Sequence, residues 1–406
     1  AEIWEEIFAT AADIKERVYG RRIVLFAPLY VSSRCVNDCV YCGFRRSNDH
    51  LERGHLSADE VRDEVRALVD VGHKRVLLVF GEHESSMIDY LVSTIQAVYE
   101  VRVSHSEIRR ANVNAPPMSM EALRRLKSAG IGTYQVFQET YHRPTYERLH
   151  PAGTIKGYFL WRLYALHRAQ SAGIDDVAIG ALLGLYDYRF EAVALLEHAI
   201  ELERRFGGVG PHTISFPRIR PAVNTRSRWP YAVSDGQLKQ LIAVLRLAVP
   251  YTGLILTARE PAALRQELLG VGITQIDAGS NISIGGYQRR ATSDQRQQFL
   301  LEDRRSLDEA VGDLVSQGLV PSFCTAGYRC GRTGEKFMQL AKSGLVHRFC
   351  LPNALITLQE YAEDHASPDT RQRSSRLICE ELERLHGAGL QRTVADLLQR
   401  TRDGER

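Results

Sequence analysis

A chain of 406 residues, 44% hydrophobic and 25% charged, has apolar material for one large α/β body or two smaller ones and reads as globular. Its formal charge of +3 and pI of about 8.4 leave no strong field for nucleic acid or an acidic membrane surface. No apolar run approaches the roughly 18 residues that a membrane span needs.

At the start, Ile3, Trp4, Ile7, Phe8, Ile14 and Val18 recur at helical spacing among charges. This predicts an amphipathic helix over 1–22 packed on the body rather than a signal peptide, and so a cytoplasmic protein. The run RIVLFAPLY (22–30) reads as a first strand. A cysteine-bearing loop follows, then LSADEVRDEVRALVDVG, where Ser57 and Glu60 have the spacing of a capping box.

Further strand candidates are 75–81, 109–115, 133–139, 176–184, 212–218, 254–260 and 273–279. Helical stretches such as MEALRRLKSAG and KGYFLWRLYALHRAQSAG, each closed by Gly, separate many of them. With the first run this makes eight strands, which predicts a parallel (β/α)8 TIM-type barrel over 23–303. The remainder, 304–406, reads as a C-terminal extension.

Chemistry in such barrels gathers at the C-terminal strand ends. Tyr30, Gly81, Glu82, Glu139, Arg218, Arg259, Glu260 and Asp277 fall there.

Seven cysteines, an odd number, form two distant groups, Cys35, Cys39 and Cys42, then Cys324, Cys330 and Cys350, with Cys379 alone in a helical pattern. That usage suits reduced, metal-binding thiols better than a disulfide framework. Structural zinc takes four protein ligands, whereas a [4Fe-4S] cluster takes one per iron, so three thiolates leave one iron open.

The spacing Cys35-x3-Cys39-x2-Cys42, with aromatic Tyr41 before the last cysteine, resembles the signature of the radical S-adenosylmethionine superfamily. The resemblance implies that the open iron chelates S-adenosyl-L-methionine. One electron, from a reductant such as flavodoxin or ferredoxin, then releases a 5′-deoxyadenosyl radical. Gly81 and Glu82 of FGEHE resemble the segment that receives the methionine amino group.

FAPLY, YQVFQETYHRPTYERLHPAG, GPHTISFPRIRPA, LTAREP and AGSNISIGGY resemble, more narrowly, the tyrosine lyases of [FeFe]-hydrogenase maturation. More distantly they resemble 2-iminoacetate synthases and a tryptophan lyase. That likeness implies cleavage of the Cα–Cβ bond of L-tyrosine or a related amino acid, giving p-cresol and dehydroglycine from tyrosine. By the matched motifs, Tyr30 and Arg259 contact the amino acid, while Glu139 and Arg162 contact S-adenosylmethionine. Arg162 reads equally well as a helix-surface arginine.

Three departures stand out. Cys324 and Cys350 fit the register of a second iron–sulfur cluster, but Gly327 replaces its middle cysteine, and only Cys330, three residues on, could substitute. His212 matches a histidine that holds an extra iron there, and otherwise reads as a hydrogen-bonded barrel residue. Asp277 stands where the relatives carry serine near the substrate head group. Ser33 and Arg34 replace an Asn-Tyr pair, and Arg34 faces either the cluster or solvent.

The expectation is a carbon–carbon lyase that forms no carbon monoxide or cyanide. The rivals are a complete maturase using Cys324, Cys330 and Cys350, a radical enzyme for another amino acid such as tryptophan, and a non-catalytic iron–sulfur carrier.

Overall fold

The computed structural model describes residues 2–290, 293–324, 334–343 and 346–405. Eight parallel strands close a barrel in chain order: β1 Arg22–Ser32, β2 Arg75–Phe80, β3 Arg110–Asn114, β4 Tyr134–Gln135, β5 Val177–Gly180, β6 Thr213–Ser215, β7 Gly253–Leu256 and β8 Gln275–Asp277. Closure comes from β8 pairing with β1 through Val24 and Gln275, Leu25 and Ile276, and Phe26 and Asp277. Every residue of β1 is buried, as expected of a parallel strand covered on both faces, which explains its unbroken apolar run.

A ninth strand, β9 Val320–Ser322, pairs with the first residues of β1. It carries Pro321, which an edge strand tolerates because one side of its ladder needs no donor.

The capping box forms as read, with Ser57 Oγ accepting from Glu60 N and Glu60 returning to Ser57 N. The long helix expected after Lys156 instead divides into a turn, Ile155–Gly157, and two helices, Phe159–Leu163 and Ala165–Ser171, meeting at Tyr164. Arg162, on the first of these two helices, lines the cavity at the barrel mouth.

The N-terminal helix Glu2–Tyr19 lies on helix Asp235–Ala248. It buries Ala11, Lys15 and Tyr19, one turn apart, while Ile3 stays 72% exposed. Tyr19 Oη anchors its end by donating to the Tyr251 carbonyl at 2.5 Å.

Beyond β8 the chain adds helices Leu307–Ser316, Gly334–Lys342, Val346–Asp364, Pro368–Glu383 and Ala388–Arg402. Glu360 fastens this extension to the barrel, pairing with Lys74 at 2.7 Å and Arg109 at 2.6 Å, with all three largely buried. Cys379 is an exposed residue of helix Pro368–Glu383. No helix among the described residues is long and apolar enough to cross a membrane.

Candidate active site

The loop after β1 folds back over the end of β2. Val36 N donates to Glu82 O at 2.7 Å and Gly81 N to Ser32 O at 2.9 Å. A Cβ on Gly81 would sit 2.2 Å from the Arg34 carbonyl oxygen, so this approach requires glycine. The Arg34 side chain itself is exposed.

Cys35, Cys39 and Cys42 line one cavity of about 180 Å³ at the C-terminal mouth of the barrel. Burial pushes the Cys39 thiol up to about 12 and raises Cys42 as well. Thiols so placed ionise when a bound cation takes their charge, as iron does. Amide donors already face two of the sulfurs: Asn37 Nδ2 lies 3.7 Å from Cys35 Sγ and Gln298 Nε2 lies 3.4 Å from Cys42 Sγ.

Among the described residues no three His, Cys, Asp or Glu side chains converge as ligands of a single ion. A cubane cluster distributes its thiolates over separate irons, so this donor set fits a [4Fe-4S] cluster.

On one side of the cysteines, Asn37 is almost fully buried and donates to Glu82 Oε2 at 2.6 Å while accepting from Lys156 N at 2.8 Å. Glu139, just past β4, adopts a left-handed backbone with φ 71°, a conformation L residues adopt at a cost of order 1–3 kcal/mol that recurs at functional sites. Its carboxylate meets Lys156 Nζ at 2.7 Å and Arg162 Nη2 at 3.5 Å. Burial acts to raise its pKa, but the Lys156 and Arg162 cations prevail and hold Glu139 below the usual carboxylate range. The Arg162 side chain is only 10% exposed and its Nε donates to Phe137 O at 2.5 Å, so the surface reading of this arginine does not hold.

On the other side, Tyr30 lies within β1, two residues before its end, and its hydroxyl donates to Gln298 Oε1 at 3.1 Å. Burial raises its pKa far above the phenol range, so it stays a neutral donor. The Arg259 guanidinium stacks 3.4 Å from the Phe299 ring centroid, with Nη1 reaching the Arg218 carbonyl at 3.4 Å.

Asp277 lines the same cavity, yet its oxygens are taken: Oδ1 accepts from Ala258 N at 2.7 Å and lies 3.4 Å from Arg265, and Oδ2 accepts from Ser280 at 2.9 Å. Burial nevertheless raises its pKa. Arg218 and Glu260 form a buried pair joined by Arg220 at 2.6 Å, which removes them from the cavity floor.

The structure thus gathers Tyr30, Cys35, Cys39, Cys42, Gly81, Glu82, Glu139, Arg162, Arg259 and Asp277 around one cavity. It adds Asn37, Lys156, Gln298 and Phe299, for which the sequence offered no signal.

Cys324, Cys350 and His212 come together at the opposite end of the barrel, around a separate cavity of about 50 Å³ that Arg22, Arg75 and Arg110 also line. Burial pushes the His212 imidazole down to about 4, and Nδ1 lies 3.8 Å from Asp176 Oδ2. Gly327 and Cys330 lie outside the described residues.

A closed parallel barrel whose mouth gathers three cysteines, a paired acidic side and a partly buried arginine defines a class, and comparison with known proteins agrees. The chain belongs to the radical SAM superfamily, whose model matches residues 29–199, and a Biotin and Thiamin Synthesis associated domain model matches 215–320. It is therefore a radical SAM enzyme, of a family that uses a [4Fe-4S] cluster and S-adenosylmethionine.

Within that superfamily it is 31% identical over 335 residues to 2-iminoacetate synthase of Escherichia coli K12, covering 82% of this chain and 85% of the relative. It superposes on a crystal structure of HydG, a maturase of the [FeFe]-hydrogenase, with TM-score 0.96 and 48% identity, covering 100% of this chain and 88% of the other. The HydG structure from Carboxydothermus hydrogenoformans gives TM-score 0.86 and 42% identity over 98% of this chain and 87% of that one.

Proposed function

We propose that this enzyme cleaves the Cα–Cβ bond of L-tyrosine or a closely related amino acid, giving p-cresol and dehydroglycine from tyrosine. The observation that supports this is the two-sided cavity, with Glu82, Glu139 and Arg162 on one side of the cysteines and Tyr30 and Arg259 on the other. When bound, the cluster and S-adenosylmethionine supply a 5′-deoxyadenosyl radical after one-electron reduction.

The chain's own residues do the positioning. Cys35, Cys39 and Cys42 hold the cluster, and Glu82 receives the methionine amino group with its orientation set by Asn37. Glu139, kept ionised by its cations, orients the rest of the cofactor with Arg162. Arg259 presents a planar fork that matches a substrate carboxylate, with its back face shielded by Phe299.

Asp277 acts through Arg259. Its carboxylate grips Ala258 N, one residue before the clamp, and its charge is balanced by Arg265. Apolar walls from Phe26, Leu77, Ile255 and Leu301 exclude water while the amino acid is held. A low-potential one-electron carrier such as flavodoxin or ferredoxin supplies the electron, a pairing that belongs to a reducing, cytoplasmic setting.

The dehydroglycine fragment leaves without conversion to carbon monoxide and cyanide, because Gly327 removes one of three ligands for a second cluster. A second reading, a complete maturase, is favoured by the 48% identity to HydG and by the shared cavity of Cys324, Cys350 and His212, with Cys330 as the third thiolate.

One anaerobic turnover with dithionite, S-adenosylmethionine and L-tyrosine separates the two. The first reading expects 5′-deoxyadenosine, p-cresol and glyoxylate without the diatomics, and about four irons per chain. Carbon monoxide and cyanide with about eight irons per chain would establish the second. 5′-Deoxyadenosine without p-cresol would refute tyrosine as substrate.

A further inference from the structure

We infer that Gln298 is a positioning residue that joins the amino-acid side of the cavity to the cluster, raising the cluster's reduction potential through an amide N–H to Cys42 Sγ while its carbonyl fixes the Tyr30 hydroxyl. Both contacts are made by one side chain: Nε2 to Cys42 Sγ at 3.4 Å and Oε1 from Tyr30 Oη at 3.1 Å.

Its segment is not free to drift. Gln298 O accepts from Gly43 N at 3.1 Å, and a Cβ on Gly43 would lie 2.6 Å from that oxygen. Gln295 O accepts from Glu52 N at 2.8 Å, and Arg296 pairs with Glu52 at 2.6 Å. The segment is thus pinned at Gln298 itself and at the two residues Gln295 and Arg296 before it, which sets the amide at a fixed height over the sulfur.

The consequence follows from charge. Reducing an iron–sulfur cluster adds negative charge that is shared with its ligand sulfurs, and an N–H dipole aimed at a sulfur favours the more negative state. The Tyr30 hydroxyl, donating to the same amide's carbonyl, polarises the amide and strengthens its N–H. Asn37 makes the corresponding link on the opposite side, between Cys35 Sγ and Glu82 Oε2. An amide therefore stands between cluster and protein on each side, and Gln298 is the one tied to the residue proposed to meet the amino acid.

The test is a potentiometric titration of the reconstituted enzyme with S-adenosylmethionine and no amino acid, read by the paramagnetic resonance of the reduced cluster. Wild type is compared with Gln298→Met, which keeps volume and loses both bonds, and Gln298→Glu, which keeps an acceptor for Tyr30 and loses the N–H. Iron content equal to wild type confirms that both variants carry the cluster.

At fixed solution potential the reduced-to-oxidised ratio is expected to fall about tenfold or more in both, 59 mV for one electron. With tyrosine as substrate, KM is expected to rise in Gln298→Met and to stay near wild type in Gln298→Glu. An unchanged potential in both cluster-loaded variants overturns the inference. Because the potential is read without an amino acid, it stands or falls independently of whether tyrosine proves to be the substrate.

Discussion

At the scale of single residues, the cavity separates side chains whose type announces their role from side chains whose position does. Arg259 is of the first kind. Its fork is braced by Phe299 and the Arg218 carbonyl, and lysine can reproduce neither the stack nor the two-pronged contact. Arg259→Lys is expected to raise KM for tyrosine about tenfold, roughly 1.4 kcal/mol of binding, with 5′-deoxyadenosine formation less tightly coupled to p-cresol. Unchanged KM in steady-state assays would place the substrate carboxylate elsewhere.

Lys156 and Gln298 are of the second kind. Lys156 sits in a TIKG turn that reads as surface, and only closure of the barrel mouth sets it 2.7 Å from Glu139. Gln298 meets its partners across 268 and 256 residues of chain. No local pattern encodes such pairings. The positions of the three cysteines were legible because their spacing is local, and that of Glu82 because it follows a strongly apolar strand after one glycine.

At the scale of elements, helix Tyr188–Arg205 stabilises the strained turn at Glu139 from behind. Glu191, on its first turn and fully buried, accepts from Tyr141 N at 2.9 Å and from Thr140 Oγ1. Burial pushes the Glu191 carboxyl up to about 7. An unfolded glutamate titrates near 4.3, so the folded state prefers the protonated form. The stability this confers is complete below about pH 4.3 and is lost as pH rises through about 7.

Thermal midpoints of wild type at one scan rate should therefore fall between pH 5 and pH 8, and Glu191→Gln should flatten that part of the profile. An identical fall in the variant would assign the pH dependence to another group.

The elements also show what patterning conveys. Eight strands were legible because parallel, doubly covered strands carry continuous apolar runs, and because helices end at residues such as Gly130 and Gly173, whose φ values of 80° and 89° suit glycine. β9 was not legible: three residues containing a proline carry no alternation. The helix break at Tyr164 was hidden for the opposite reason, since good helix formers flank it on both sides. The N-terminal helix was legible as well: Ile7, Phe8 and Val18 of its apolar stripe pack on the body beside the buried Ala11, Lys15 and Tyr19, and only Ile3, in its first turn, stays exposed.

At the scale of the whole molecule, the C-terminal extension is fastened to the barrel by charge as well as by packing. Glu360 faces Lys74, which is completely buried, and Arg109. The two cations outweigh the burial that would raise its pKa and keep it ionised at neutral pH. Removing one member of a buried ion pair costs about 3–5 kcal/mol, because its partners remain charged and desolvated. Glu360→Gln should lower the thermal midpoint by several degrees and should also slow recovery of the cluster-bound form after dilution from denaturant. A midpoint equal to wild type would show that apolar packing of the extension suffices without the charges.

The sharing of β1 among three neighbours has a consequence in time. β1 ends at Ser32, yet two of its three partners, β8 and β9, begin only at Gln275 and Val320. At about 5–20 residues per second, synthesis leaves its edge open for on the order of tens of seconds. Throughout that interval the cysteine loop hangs beside an unfinished wall, without the Gln298 segment that later lies across it. The cavity that gathers the three cysteines is therefore complete only once the chain has been made through Leu301.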